Sequence, residues 1–253
     1  MAKDFTKKRI GVCEELMKPE IKQYLELPLD EKVKKTLEII KEALEKYPKA
    51  GLGFSGGTDS LVLLHIALPI CPPDMPIIFV NTGHQFPETY KFIEKIKKEW
   101  NLKNFQEVKP EEDKVNKFKE EVGFKTAEFT EKCCEYHKIN PLKKAIEDFK
   151  LDAFIAGIRG VEHEERAKEI FFSPRKNPDH IRVHPLLFWK SEDVLEYVKK
   201  EGIECNPLYA QGYTSLGCVE CTEKNIDPNA HERAGRGVVR EEVMERLREL
   251  GYT

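Results

Sequence analysis

The chain has 253 residues, 34% of them charged and 40% hydrophobic, with 42 basic against 45 acidic side chains and a formal net charge of −3. That length buries a substantial core in one large domain or two small ones, and the composition excludes a disordered tail. The near-neutral balance removes the strong basic field of a dedicated nucleic-acid binder, and no apolar run approaches the roughly 18 residues of a membrane span, so a cytoplasmic chain without membrane attachment is expected.

Residues 1–28 mix charged and apolar side chains without a period and read as an arm or a first helix. Val33, Leu37, Ile40 and Leu44 recur at three and four, which predicts an amphipathic helix over 29–47. An apolar run at 50–54, the break Ser55-Gly56-Gly57 and the apolar segment 61–68 read as strand, glycine turn and helix. The alternation continues with a strand at 76–80, ended by Asn81-Thr82-Gly83, a helix at 87–100 and a strand at 104–108. A Lys/Glu-rich, weakly patterned helix over 110–129, a helix over 138–149 and a strand at 152–156, closed by Gly157, follow. Strands alternating with helices predict an α/β fold, a Rossmann-like parallel sheet with helices on both faces. Pro174, Asn177, Pro178 and Asp179 predict a mobile loop across 171–180, before a strand at 181–184 and a helix from Ser191, its expected cap, to Lys200. From 206 to 237 periodicity vanishes, so something other than a core must order that segment.

Ser55-Gly56-Gly57-Thr58-Asp59-Ser60 stands between a predicted strand and a predicted helix. Glycines let the backbone approach an anion, the new helix presents free amides, and Ser55 and Ser60 add hydroxyls, which makes a phosphate or sulfate cradle. The Gly-Lys-Ser/Thr of a Walker loop is absent, so a kinase-like clamp is not expected. The seven cysteines are odd in number, sit in a chain too large to need stapling, and include the neighbours Cys133 and Cys134, which speaks for reduced thiols and against a disulfide framework. With Cys218 and Cys221 they supply four thiolates from two segments, a set suited to zinc or to an iron-sulfur cluster. Adjacent cysteines are awkward around one tetrahedral zinc but can bind different irons of a cluster.

The Ser-Gly-Gly-x-Asp-Ser loop resembles that of the PP-loop superfamily of adenine-nucleotide enzymes, and further motifs resemble its sulfonucleotide reductase family. Asn81-Thr82-Gly83-His84-Gln85-Phe86-Pro87-Glu88-Thr89-Tyr90 is similar to that family's Asp-Thr-Gly-x-x-Phe-Pro-Glu-Thr-Tyr element, with Asn81 in place of the usual Asp. Ala156-Gly157-Ile158-Arg159, with Glu164, Arg166 and Ala167, resembles its arginine loop; without the resemblance, Arg159 and Arg166 would be ordinary surface residues. The segments around Cys133-Cys134 and from Asn206 to Thr222 resemble the two elements of the cluster-containing adenylyl-sulfate reductases, and Glu232-Arg233-Ala234-Gly235-Arg236 resembles the segment that carries the Arg-x-Gly-Arg element. His137 stands where that family has arginine, and Gly237 where an aromatic residue normally follows.

The resemblance implies reduction of adenylyl sulfate, or its 3'-phosphorylated form, to sulfite and AMP or its 3'-phosphate in sulfate assimilation, through a cysteine S-sulfo intermediate. It implies a 4Fe-4S cluster on Cys133, Cys134, Cys218 and Cys221, and nucleotide contacts from Ser55, Gly56, Gly57, Asp59, Ser60, Thr82, Gly83, Arg159, Arg166, Arg233 and Arg236. Lys138 would bridge cluster and anion electrostatically. A thioredoxin-like donor or sulfur-carrier protein and a homo-oligomer are the expected partners, and the chain divides into a helical arm over 1–48, a nucleotide-binding domain over 49–204 and a C-terminal segment over 205–253 that completes the cluster site and covers the active site.

The family's C-terminal Glu-Cys-Gly nucleophile is absent: no cysteine follows Cys221. Cys205 is the nearest replacement, its pKa to be lowered by Arg233 or Arg236, with a small buried apolar role as the alternative. Cys13 and Cys71 read as structural, with Cys13 as a second candidate nucleophile behind Cys205. The intact phosphate loop keeps open an ATP-dependent sulfurtransferase using the cluster, with Mg only if ATP is the substrate, and a non-catalytic nucleotide and redox sensor is a third reading.

Overall fold

A computed structural model describes residues 13–111, 126–225, 227 and 231–252. One six-stranded sheet runs in the order β3-β2-β1-β4-β6-β5. Its strands are β1 (Ala50–Gly53), β2 (Ile77–Val80), β3 (Phe105–Val108), β4 (Ala153–Ile155), β5 (Phe172–Lys176) and β6 (Asp179–Val183). The first four and β6 pair in parallel, and β5 pairs antiparallel with β6 at the edge. The expected Rossmann-like sheet is therefore present, with an antiparallel edge strand added. The expected mobile loop at 171–180 is not: it is the β5–β6 hairpin, in which Phe172 faces Val183 and Lys176 faces Asp179. Its turn residues mark only the reversal, and Pro174 is tolerated because β5 is an edge.

The helices are α1 (Pro19–Lys22), α2 (Leu29–Lys46), α3 (Thr58–Ala67), α4 (Pro87–Glu99), α5 (Ala127–Cys134), α6 (Asn140–Asp148), α7 (Glu164–Ala167), α8 (Ser191–Glu201), α9 (Val238–Glu242) and α10 (Met244–Glu249). A π-helix, Glu135–Ile139, joins α5 to α6. The helix expected over 110–129 lies largely outside the described residues. No helix among the described residues is long and apolar enough to cross a membrane.

Helix α3 is apolar on every side and buried from Ser60 to Ala67 apart from His65, as a helix must be when other elements cover it all round. Helix α2 lies against it but turns a different stripe inward from the one its aliphatics suggest: Lys32, Thr36, Ile39, Ile40 and Ala43 are buried, while Val33, Leu37 and Leu44 are only partly covered. Two polar residues tolerate this because their groups are satisfied. Lys32 is paired with Asp193, and the Thr36 hydroxyl donates to the Pro185 carbonyl at 3.2 Å while accepting from Trp189 Nε1 at 2.9 Å. Ser191 is likewise not the cap of α8. Lys190 is, its amide held by the Asp193 carboxylate at 2.6 Å, which leaves the Ser191 hydroxyl free to serve the site.

Strand order reverses beside β1: β2 and β3 lie on one side of it and β4 on the other. The crevice outside the carboxyl ends of β1 and β4 is where such sheets take ligands.

Candidate active site

That crevice is a cavity of about 680 Å³. Ser55, Gly57, Asp59 and Ser60 enter it after β1, Thr82 after β2, and Gly157 and Arg159 after β4. Cys133, Cys134 and Lys138 enter from α5 and the π-helix, and Cys205, Cys218, Cys221, Arg233 and Arg236 from the irregular C-terminal third. Arg166 of α7 also reaches it. Of the sequence-predicted site residues only Gly56 and Gly83 are not on the wall; each shapes its turn instead, with φ of 78° and 77°. A side chain at Gly56 would also meet Thr89 Cγ2 at 3.1 Å and Ile93 Cγ1 at 3.2 Å.

The phosphate loop is tied internally by hydroxyls. Ser60 Oγ donates to the Gly57 carbonyl at 2.8 Å and accepts from the Ser55 amide at 3.2 Å. The Thr58 amide, in the first turn of α3, donates to the Tyr209 hydroxyl at 3.1 Å. Tyr209 follows Asn206-Pro207-Leu208 and belongs to the site although its role was not read from the sequence; burial pushes its hydroxyl up to about 12, so it is a neutral phenol.

The arginines differ most from expectation. Arg159 and Arg166 are not surface residues, and each guanidinium is already held by carboxylates. Arg159, 3% exposed, donates to Asp59 at 2.9 Å, to Glu232 at 2.7 Å and to Ser191 Oγ at 3.2 Å, and Ser191 Oγ donates to Glu232 at 2.6 Å. Arg166 is paired with Glu162, and Arg233 grips Glu241 through Nε at 3.1 Å and Nη2 at 2.8 Å. Burial pushes Asp59 up to about 7, against the opposing pull of Arg159. Glu162 and Glu241, in spite of burial, are held down at about 2 by their arginines. Glu162, Glu232 and Glu241 have no motif of their own; the only sequence signal for them is nearness to the two arginine elements.

Arg236 has no carboxylate within ion-pair distance among the described residues, and burial first, then Arg240 and Arg233, lower it to about 10. Its Nη1 donates to Thr222 Oγ1 at 3.3 Å. The guanidinium lies so close to Gly217 that a Cβ there would stand 2.0 Å from Nη1. Gly217→Ala is therefore expected to leave stability within about 1 kcal/mol, since the flexible arginine end can yield, while displacing Arg236 and weakening AMP binding; calorimetric titration with AMP checks this.

The four paired cysteines come together. Gln85 and Cys218 form an isolated antiparallel bridge, the Val219 amide donates to the His84 carbonyl at 2.8 Å, and Cys218 Sγ lies 3.4 Å from Thr82 Oγ1. The 206–237 segment is thus tethered to the loop after β2. Burial pushes Cys133 up to about 12, reinforced by the charges of Cys134, Cys218 and Cys221, so the four thiols sense one another. Among the described residues no three His, Cys, Asp or Glu side chains are arranged to hold a single metal ion. His137, where arginine was expected, is buried and its Nδ1 hydrogen-bonds the Thr82 carbonyl at 3.0 Å; its ring meets His84 edge-on at 4.7 Å.

Cys205 is on the cavity wall, hydrogen-bonded to the Thr58 side chain, and burial raises its pKa. The cations expected to lower it, Arg233 and Arg236, do not figure among the groups that act on it. Cys13 is buried in the main core and Cys71 packs against it.

Residues 49–224 match the phosphoadenosine phosphosulfate reductase domain. The chain belongs to that family. It is 32% identical over 216 residues to the adenosine 5'-phosphosulfate reductase of Geobacillus sp. (strain WCH70), covering 83% of this chain and 88% of that protein. The protein of the same name from Mesorhizobium japonicum is 31% identical over 204 residues, covering 80% of this chain and 78% of its own. Among solved structures, the Candida auris phosphoadenylyl-sulfate reductase aligns with a TM-score of 0.61 at 20% identity over 83% of this chain and 98% of its own. The Candida glabrata FMN adenylyltransferase aligns at 0.60 and 20% identity over 87% and 75%. Both share the PP-loop-like α/β fold.

Proposed function

We propose that the protein is a sulfonucleotide reductase of sulfate assimilation, converting adenylyl sulfate, or its 3'-phosphorylated form, to sulfite and the corresponding nucleotide. One observation carries the reading: the phosphate loop, the arginine elements and four cysteines, scattered from Ser55 to Arg236, line a single cavity, in a chain about 30% identical across most of its length to proteins named adenosine 5'-phosphosulfate reductase.

The phosphate loop and Thr82 would hold the nucleotide, with Arg236 as the cation most open to the anion. Arg159, Arg166 and Arg233 would set the walls, each meeting the substrate only by sharing or exchanging its carboxylate. A thiolate attacks the sulfur, the bond from sulfur to the bridging oxygen breaks, and that oxygen leaves on the nucleotide phosphate with the electron pair. A second thiol, from a thioredoxin-like donor, then attacks the S-sulfocysteine, forms a disulfide and releases sulfite. Cys205 is the candidate nucleophile of this chain, as the cysteine outside the quartet that lines the cavity; its raised pKa means that bound substrate or a partner must supply the base.

Four sulfur donors from two segments, mutually repelling when ionised and flanked by Arg236 and Arg240, fit a 4Fe-4S cluster. Cys133, Cys134, Cys218 and Cys221 would hold it, and it would act electrostatically and structurally beside the anion site rather than by cycling electrons. We assign the arm, nucleotide-binding and covering segments to 1–48, 49–204 and 205–253, and the protein to the cytoplasm.

The intact Ser-Gly-Gly-Thr-Asp-Ser loop favours a second reading, an ATP-dependent sulfurtransferase. Anaerobically purified protein incubated with adenylyl sulfate and a thiol reductant, and separately with ATP and candidate acceptors, separates the two. Sulfite without ATP use is expected; pyrophosphate with no sulfite would sink the reductase.

A further inference from the structure

Tyr252 lines the cavity, and it and Gly251 are held there by polar contacts to cations. Arg182 Nη2, on β6, donates to the Gly251 carbonyl at 3.1 Å. Lys138 Nζ, on the π-helix, donates to the Tyr252 hydroxyl at 3.0 Å, and Arg240 Nη2, on α9, donates to the same oxygen. Lys138 and Arg240 also lie over the Tyr252 ring, 4.6 and 4.7 Å from its centre. All four side chains face the cavity.

Apart from the cysteine quartet beside Arg240, few acidic groups of the described residues face these cations. Among the described residues neither Lys138 nor Arg182 has a carboxylate within ion-pair distance, and Arg182 is 3% exposed, its other contacts being His180 Nε2 at 3.0 Å and the Phe154 ring at 5.1 Å. The nearest carboxylate to Arg240, Glu241 at 3.3 Å, is already gripped by Arg233. A buried cation without a counter-charge is costly, and a tetrahedral oxyanion is the ligand that lysine and arginine donors satisfy best. Here a carbonyl and a phenol take that place.

Gly251 and Tyr252 lie outside the main core, although Tyr252 packs on a smaller one. Met244 and Leu247 anchor α10 in a small core with Ile139 and Val243. Beyond it the chain turns at Gly251, φ 95°, and the Tyr252 amide returns to the Leu247 carbonyl at 2.8 Å. Displacing Gly251 and Tyr252 therefore breaks no part of the main core.

The geometry points to an oxyanion subsite formed by Lys138, Arg182 and Arg240, which Gly251 and Tyr252 occupy in the free protein, so that the anion and the tail compete for it. The inference rests on the proposed function only for the source of the anion, a sulfo or phosphoryl group of the nucleotide. Neither Arg182 nor Arg240 belongs to a motif by which the chain resembles its family.

The test reads binding, not turnover, so failure to make sulfite would leave it intact. Inorganic sulfate and AMP are titrated separately into the full chain, into Tyr252→Phe, which keeps the ring and loses the hydroxyl, and into a chain lacking residues 251–253. Removing a competitor held by two charge-assisted hydrogen bonds is expected to tighten binding about tenfold in both variants, and adding Lys138→Met to Tyr252→Phe is expected to cancel the gain. A gain with sulfate alone assigns the subsite to the sulfo end, and a gain with AMP to the phosphoryl end. In the full chain, saturating sulfate is expected to speed hydrogen exchange at the Tyr252 amide. Unchanged or weaker binding of both probes by the two variants, or exchange unaltered by saturating sulfate, overturns the proposal.

Discussion

Arg159→Ala is expected to cost the folded protein about 3–5 kcal/mol, read as a lowered urea midpoint and a fall of roughly 10 °C in Tm, because it breaks a buried ion-pair network by removing its cation. The Asp59, Glu162 and Glu232 carboxylates all act on that one guanidinium, which reaches Asp59 at 2.9 Å and Glu232 at 2.7 Å. Without it they repel one another across the mouth of the phosphate loop. A lysine in its place keeps the charge but lacks the planar fork that spans Asp59 and Glu232, so Arg159→Lys is expected to recover only part of the loss. The pH dependence has a definite sign. Asp59 is raised from 3.8 to about 7 in the folded protein, and rises further without Arg159. A carboxylate raised on folding contributes stability that is present below pH 3.8 and lost as pH rises through the folded value, so the variant is expected to lose more stability than the parent between about pH 5 and 8. A variant as stable as the parent across that range would show that the network is not closed around Arg159.

Cys218→Ala has the second large effect. Anaerobically purified parent protein is expected to hold about four irons per chain with visible thiolate-to-iron absorption, and the variant close to none. Sulfite formation from adenylyl sulfate is expected to fall on the order of a hundredfold or more, since loss of the group also frees the segment that bridges to Gln85. Zinc instead of iron in the parent would overturn the cluster assignment while leaving the fold untouched. Cys71→Ala, outside the cavity, serves as the control and is expected to keep its iron.

Much of this was legible along the chain because it depends on local pattern. The strands β1 to β4 and the helices α3, α4 and α6 follow from apolar runs and glycine breaks, whereas α5 and the π-helix carry no such pattern, and the phosphate loop follows from six consecutive residues between a strand and a helix. The misreadings share a cause. Proline and asparagine at 174–178 signalled a turn, and pairing with β6 decided that the residues before it form an edge strand. The aliphatic spacing of α2 gives no sign that Lys32 and Thr36 are buried, because their partners Asp193, Pro185 and Trp189 lie about 150 or more residues away.

What the sequence by itself determined is the inventory: a nucleotide-binding α/β chain with an anion loop, two arginine elements and four paired cysteines, in a length and charge that exclude other classes. Those are properties of residue type and near-neighbour spacing. Only the tertiary structure decided which charges meet: Arg159 with Asp59 and Glu232, Arg233 with Glu241, and Lys138, Arg182 and Arg240 with Gly251 and Tyr252. An ion pair depends on distance through space and on the water removed around it, and neither is encoded in the local order of residues.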